Sequence, residues 1–395
     1  MNHHHRVHRT PALRAKSTVL ALVTAPGLLL TACGTDGKPA PVDVPRMTVT
    51  PADGAHGVKP ADPIAIRVDH GTLGAVSVTA ADGRQVGGAM RDGTFVPEAP
   101  LATKSTYQVR ATLKGADGKE TEAHSSFTTL EAKTTETVTV LPSQGATVGV
   151  GQPVSLTFDH PVKDKAAVER RLKLTTDNNT EGSWGWVKET LSDKDRIDWR
   201  PKAYWKPGTK VTLRADLNGV DTGAGRYLVR SYSTDFTIGK SQIAKIDLNT
   251  HRLTFERDGQ DVKTMPVTGG DEQHETWNGK MTLMAKEGTI RMNSQTVGMG
   301  SAYDQQVQKS MRLTISGTYA HQAEWAESTI GTANTSHGCL GFTTADATWL
   351  YDQVQVGDVF EVTGGKETVA AGNGYGEWNL GYADWQHKSA LRQGN

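Results

Sequence analysis

Two stretches of this chain repeat one another at an offset of 90 to 91 residues. Met47-Thr-Val-Thr-Pro51 matches Val138-Thr-Val-Leu-Pro142. Asp62-Pro63 through Asp69-His70 matches Gln152-Pro153 through Asp159-His160. Phe95-Val96-Pro97 answers Trp199-Arg200-Pro201, and the run from Tyr107 answers the run from Val211. A period of this length is too long for a solenoid and fits two tandem domains. Each unit alternates apolar and polar residues in short runs broken by Gly, Pro and Asp, the pattern of an immunoglobulin-sized β-sandwich. No Cys…Trp…Cys spacing is present, so these are not disulfide-bearing immunoglobulin domains. Their histidines, His56, His70, His124 and His160, are scattered and fit surface positions. Trp184 and Trp186 fit a sandwich core better than a sugar platform.

The remaining length sets out the other parts. At 395 residues the chain holds two to three domains. The 42 glycines suit a mostly β protein with many turns. With 43 basic and 43 acidic residues there is no charge bias toward nucleic acid. Residues 1–33 have the form of an export signal. Arg6, Arg9, Arg14 and Lys16 make a positive start, Ser17 to Leu30 is mostly apolar but short for a bilayer span, and Leu30-Thr-Ala-Cys33 resembles a lipobox. Cys33 is then the lipidation site. Lipid there tethers the mature chain to the outer face of the cytoplasmic membrane, facing the cell wall. Residues 34–46 are the tether. The sandwiches occupy 47–131 and 134–239, a third domain 241–364, and a closing segment 365–395.

In that third domain, Gln242 to Leu248 and Arg252 to Glu256 alternate as strands around an Asn249-Thr250-His251 turn. Asp258-Gly259 marks a second hairpin. Lys263 to Gly270 is expected as a strand ending in a flexible loop. Asp346 to Val354 has helical spacing, and Val356 to Val362 is a closing strand. The tail, with Trp378, Tyr382 and Trp385, is too aromatic to be solvated and is expected to pack on the third domain.

The chain has two cysteines. If Cys33 carries lipid, Cys339 is a lone thiol in a compartment where thiols are normally paired, which points to reactivity. A cysteine attacks as thiolate and needs a base to take its proton. His337, two positions away, would share a strand face with Cys339. His321 lies 18 residues upstream. Spacing does not separate the two candidates. Gly338 lets the backbone approach a substrate and aim amide N–H groups at a developing oxyanion. A metal needs three or four ligands, and no second Cys/His cluster lies near, so neither metal nor cofactor is expected. His274 fits a solvated loop. Trp325 fits either a wall over the cysteine or ordinary packing.

The run Tyr303 to Phe342 resembles the YkuD-type L,D-transpeptidases, whose signature is a His followed by Ser/Thr-His-Gly-Cys; here these are His321, Ser336, His337, Gly338 and Cys339. Lipobox, two immunoglobulin-like domains and catalytic domain together resemble the actinobacterial lipoprotein members. The resemblance implies a β-rich catalytic domain with a short helix and a 3→3 peptidoglycan cross-linking activity. Cys339 would form a thioester on a tetrapeptide donor stem with release of D-Ala, and a diamino-acid amine on an acceptor stem would resolve it. It implies His321 as base, with its ring held by the Gln322 carbonyl. His337 would support the cysteine, and amides around Gly338 and Cys339 would form the oxyanion hole. Tyr303, Ser316, Gly317, Trp325 and Gly341 match substrate-binding positions, and carbapenem-type β-lactams are implied inhibitors. The same residues would serve an L,D-carboxypeptidase or endopeptidase using water, and a wall-binding lipoprotein with a relic site is the third reading. Two positions depart from the pattern: relatives usually carry Asn or Arg at 341, and often Thr-Pro-x-Gly where this chain has Thr276-Trp277-Asn278-Gly279.

Overall fold

The computed structural model describes residues 43–297, 300, 301 and 303–392. The export signal, Cys33 and all but the end of the tether lie outside the described residues. The chain folds as the repeat predicts. In the first sandwich one sheet runs Arg46–Thr50, Ile64–Asp69, Thr94–Pro97, Gly88–Arg91; the other runs Ala55–Val58, Glu120–Thr129, Thr106–Gly115, Gly71–Ala80. The period of two is plain in Thr106–Gly115, where Tyr107, Val109, Ala111 and Leu113 are buried between more exposed neighbours.

The second sandwich repeats the pairing. Val138–Leu141 lies antiparallel to Val154–Phe158 as Arg46–Thr50 does to Ile64–Asp69, and Asp195–Pro201 takes the place of Thr94–Pro97. Trp186 is in its core and Trp184 packs against it. All four scattered histidines are exposed.

One strand of this sandwich departs from the alternation along its whole length. Every residue of Asp195–Pro201 is buried, including Arg196, Asp198 and Arg200. The cause is the closing segment, which packs on this sandwich as well as on the catalytic domain expected to hold it. Arg196 Nη2 donates to Gly374 O at 2.7 Å, and its Nε bonds Asp198 Oδ2 at 2.8 Å. Arg200 Nη2 donates to Leu380 O at 2.9 Å, and its guanidinium lies 5.0–5.6 Å from the rings of Trp378, Tyr382 and Trp385. Planar guanidinium groups suit this stacking. Burial, with the Asp198 charge close by, pushes the Glu377 carboxyl well above the usual carboxylate range.

The third domain has two sheets. One is ordered Gln260–Pro266, Arg252–Arg257, Gln242–Asp247, Val359–Thr363, Gly279–Thr282; the other Ala285–Asn293, Asp304–Arg312, Tyr319–Gln322, Leu340–Phe342. The helix spans Thr344–Gln353 and starts earlier than its apolar spacing indicates, because the Thr343 hydroxyl accepts from Asp346 N–H. The closing strand starts late, at Val359. Its expected first residues turn outward instead: Val356 O and Gly357 O accept from Gly149 and Gly151 N–H of the second sandwich, each at 2.8 Å. The loop after Pro266, expected to be flexible, is buried from Val267 to Gly270 and bonded along its length.

Trp385 is fully buried, and its Nε1–H donates to Ser183 O at 2.9 Å. Trp385→Ala should cost about 3–5 kcal/mol in a denaturant melt, the range for deleting a buried aromatic. A loss below about 1 kcal/mol would mean that the closing segment does not bind the domains together.

Candidate active site

Two short parallel strands create the site. Tyr319–Gln322 pairs with Leu340–Phe342 so that His321 stands opposite Gly341. This register brings Cys339, just before the second strand, and His321 into the lining of one cavity of about 390 Å³. Trp325, Ala323 and Met292 complete much of its wall.

His321 is only 4% exposed. Its Nδ1 lies 2.7 Å from Gln322 O, so that nitrogen carries the proton and Nε2 is left to accept one. Burial pulls its pKa down to about 4, against the weaker opposing effect of that hydrogen bond. Cys339 is half-buried and unpaired. Burial pushes its thiol up to about 11. Its Sγ lies 3.7 Å from Gly317 O. Both shifts favour the neutral forms, thiol and imidazole, at neutral pH. Trp325, on the turn Glu324–Ala326, stacks 5.9 Å from the His321 ring and is 52% exposed. Of the two readings open for it, the geometry is that of a wall.

Residues 337–339 form a bend, with Gly338 at φ +109°, where L side chains are strained. The strand alternation expected to put His337 beside Cys339 is absent. Ser336 sets the bend: its Oγ donates to Cys339 O at 2.7 Å and accepts from Gly338 N–H at 3.2 Å. The Gly338 amide expected at the oxyanion hole is thus engaged in the resting site. His337 is exposed, its ring 5.2 Å from Tyr303 and 4.9 Å from His274.

Tyr303 and His337 line both this cavity and a second one of about 450 Å³, which also takes in His274, Ser316, Gly317 and Gly338. Ser316 is held by the closing segment. Its N–H donates to Asn373 Oδ1 at 2.9 Å, and its Oγ accepts from Asn373 Nδ2 at 2.8 Å. Sequence reading missed Asn373, which had no local signal. It also placed His274 in solvent. The Asp271-x-x-His274 spacing was a usable signal, because Asp271 Oδ1 accepts from the N–H of Gln273 and His274 and fixes the turn.

The description "L,D-transpeptidase catalytic domain" matches residues 241–362, and "Bacterial Ig domain" matches 55–221. L,D-transpeptidase 2 of Mycobacterium tuberculosis (strain CDC 1551 / Oshkosh) is 34% identical over 404 residues, covering 97% of each chain. This chain belongs to the L,D-transpeptidase family. L,D-transpeptidase 5 of Mycobacterium tuberculosis (strain ATCC 25618 / H37Rv) is 32% identical, covering 93% of this chain and 83% of its own length. A solved L,D-transpeptidase in complex with imipenem is 34% identical and covers 57% of this chain and 98% of its own, with a TM-score of 0.49. As a family member the chain is an acyltransferase with a mostly β fold.

Gly341 is one of the two departures from the expected pattern, and the packing accounts for it. A Cβ at 341 would stand 2.8 Å from Thr268 Cγ2 and 2.9 Å from Ala323 Cβ. Gly341→Asn should lower stability by about 1–3 kcal/mol in a urea melt, the usual cost of overpacking. Thr268→Ser, which removes Cγ2 but keeps the hydroxyl, should recover much of that loss. A Gly341→Asn protein as stable as the parent would show that the strap around Thr268 yields freely.

Proposed function

We propose that this L,D-transpeptidase makes 3→3 cross-links in peptidoglycan through a thioester on Cys339. The observation that carries this reading is a buried imidazole fixed at 2.7 Å to Gln322 O and lining one cavity with the only cysteine among the described residues. As Cys339 Sγ attacks the carbonyl of the third residue of a donor tetrapeptide stem, His321 Nε2 takes the thiol proton. The Cys339 N–H faces the oxyanion. Collapse of the tetrahedral intermediate breaks the bond to D-Ala, whose nitrogen receives the proton back from His321. The side-chain amine of a diamino acid on an acceptor stem then attacks the thioester, and the thiol is restored.

Ser336 holds the Gly338–Cys339 bend, and His337 with Tyr303 walls the reacting centre. Trp325 bounds the donor stem, Ser316 and Gly317 line the second cavity of the substrate site, and the absence of a side chain at Gly341 changes the donor's contacts. Carbapenem-type β-lactams, which present a strained acyl group, would acylate the same sulfur. A lipid on Cys33 anchors the chain at the outer face of the cytoplasmic membrane, and the two sandwiches hold the site toward the wall.

The test uses purified disaccharide-tetrapeptide. The enzyme should release D-Ala and form a cross-linked dimer seen by mass spectrometry, and Cys339→Ala should lose roughly 10⁴-fold or more in D-Ala release. Monomeric tripeptide as the sole product would contradict transfer. Undiminished turnover by Cys339→Ala would contradict the nucleophile.

A further inference from the structure

The proposed transfer step leaves a proton unassigned. A side-chain amine on the acceptor arrives as an ammonium with a pKa of about 10.4 and must lose a proton before it can attack. His321 is buried in the Trp325 cavity, and burial pulls its pKa down, so it is a weak base toward that ammonium. It suits the proton shed by the tetrahedral intermediate, not the first one.

A second histidine stands on the other side of the Tyr303–His337 wall. His274 Nδ1 lies 3.0 Å from Asp271 Oδ1, so the carboxylate fixes the ring and leaves Nε2 as its accepting nitrogen. Burial opposes the Asp271 charge, but the N–H groups of Gln273 and His274 outweigh it and hold that carboxyl below the usual range. The His274 ring packs 4.9 Å from His337 and lines the 450 Å³ cavity with Gly338 and Gly317, the residues flanking the sulfur. The charged groups facing His274 in that cavity are Glu272, Glu275, Glu367 and Lys366, and Lys366 Nζ is spent on Glu275 Oε1 at 2.6 Å. The surplus is negative, which draws in an ammonium. Among the described residues, the opposite cavity, with its buried His321 and Trp325 wall, has no carboxylate or ammonium group lining it.

We propose that the acceptor amine enters through the His274 cavity and that the Asp271–His274 pair takes its first proton. This rests on the transpeptidase reading. The ammonium N–H proton passes to His274 Nε2. The freed nitrogen lone pair forms a bond to the thioester carbon, and the C–S bond breaks. The second proton on that nitrogen goes to Cys339 Sγ, restoring the thiol, and the imidazolium returns its proton to water. His321 assists the second transfer only.

The experiment compares two nucleophiles on the full enzyme loaded with disaccharide-tetrapeptide. One is an acceptor stem with its side-chain amine. The other is hydroxylamine, already unprotonated near neutral pH. D-Ala release is followed in parallel. In His274→Ala, the ratio of amine transfer to hydroxylamine transfer should fall at least tenfold. His274→Gln should behave the same way, and Asp271→Asn should move the ratio in the same direction by less. Equal losses with both nucleophiles would make His274 a support for His337 and overturn the proposal, as would an unchanged ratio. If the wild-type enzyme releases D-Ala but never transfers to the amine, the transpeptidase reading falls and this inference with it.

Discussion

The site depends on one parallel register, that of Tyr319–Gln322 against Leu340–Phe342. A slip of one residue would turn His321 to the other face of the sheet. Strands this short do not hold a register alone. The strap from Val267 to Asp271, buried as far as Gly270, does it for them. Thr268 and Gly341 exchange two backbone bonds at 2.9 and 3.0 Å. Gly269 O accepts from Ser336 N–H, and Ser336 O from Asp271 N–H, each at 2.9 Å. The Thr268 hydroxyl closes the set, donating to Ala333 O at 2.8 Å and accepting from Thr335 N–H at 3.1 Å. Gly341 follows from this: the strap runs so close that position 341 has no room for a side chain.

The catalytic domain is in turn held by parts of the chain that carry no chemistry. Asn373 fixes Ser316, and the same closing segment buries Trp385 against the second sandwich. Trp378 Nε1–H and Thr282 Oγ1 both donate to Gly151 O, at 2.8 and 3.1 Å, tying sandwich, closing segment and catalytic sheet at one carbonyl. The buried Arg196–Asp198 pair would be costly if a partner were lost, which makes this junction specific. The second sandwich is therefore part of the framework around Ser316, beyond any role as a spacer.

Much of this was legible in the sequence, for reasons that can be named. The repeat survives in strand pairing because period-two burial and turn residues are local signals, as in Thr106–Gly115. The motif from His321 to Cys339 carried the family because its chemistry fixes residue types at fixed spacing. What was not legible depends on distant contacts. Asp195–Pro201 looks half-exposed until the closing segment covers its outer face. The loop after Pro266 looks flexible until its partners at Ser336 and Gly341 are present. The bend at Gly338 overrode the alternation that would have paired His337 with Cys339, and His274 acquired its neighbour only through that bend.

The central chemical claim is that Cys339 and His321 rest uncharged, because burial acts on both in opposite directions on the pH scale. The most direct test is the alkylation rate of Cys339 by iodoacetamide across pH. A neutral, half-buried thiol should react slowly at pH 7 and gain reactivity toward an inflection near 11, well above the ordinary thiol value of about 8.5. A fast plateau at neutral pH, with its inflection below about 8.5, would reveal a thiolate–imidazolium pair and contradict the account.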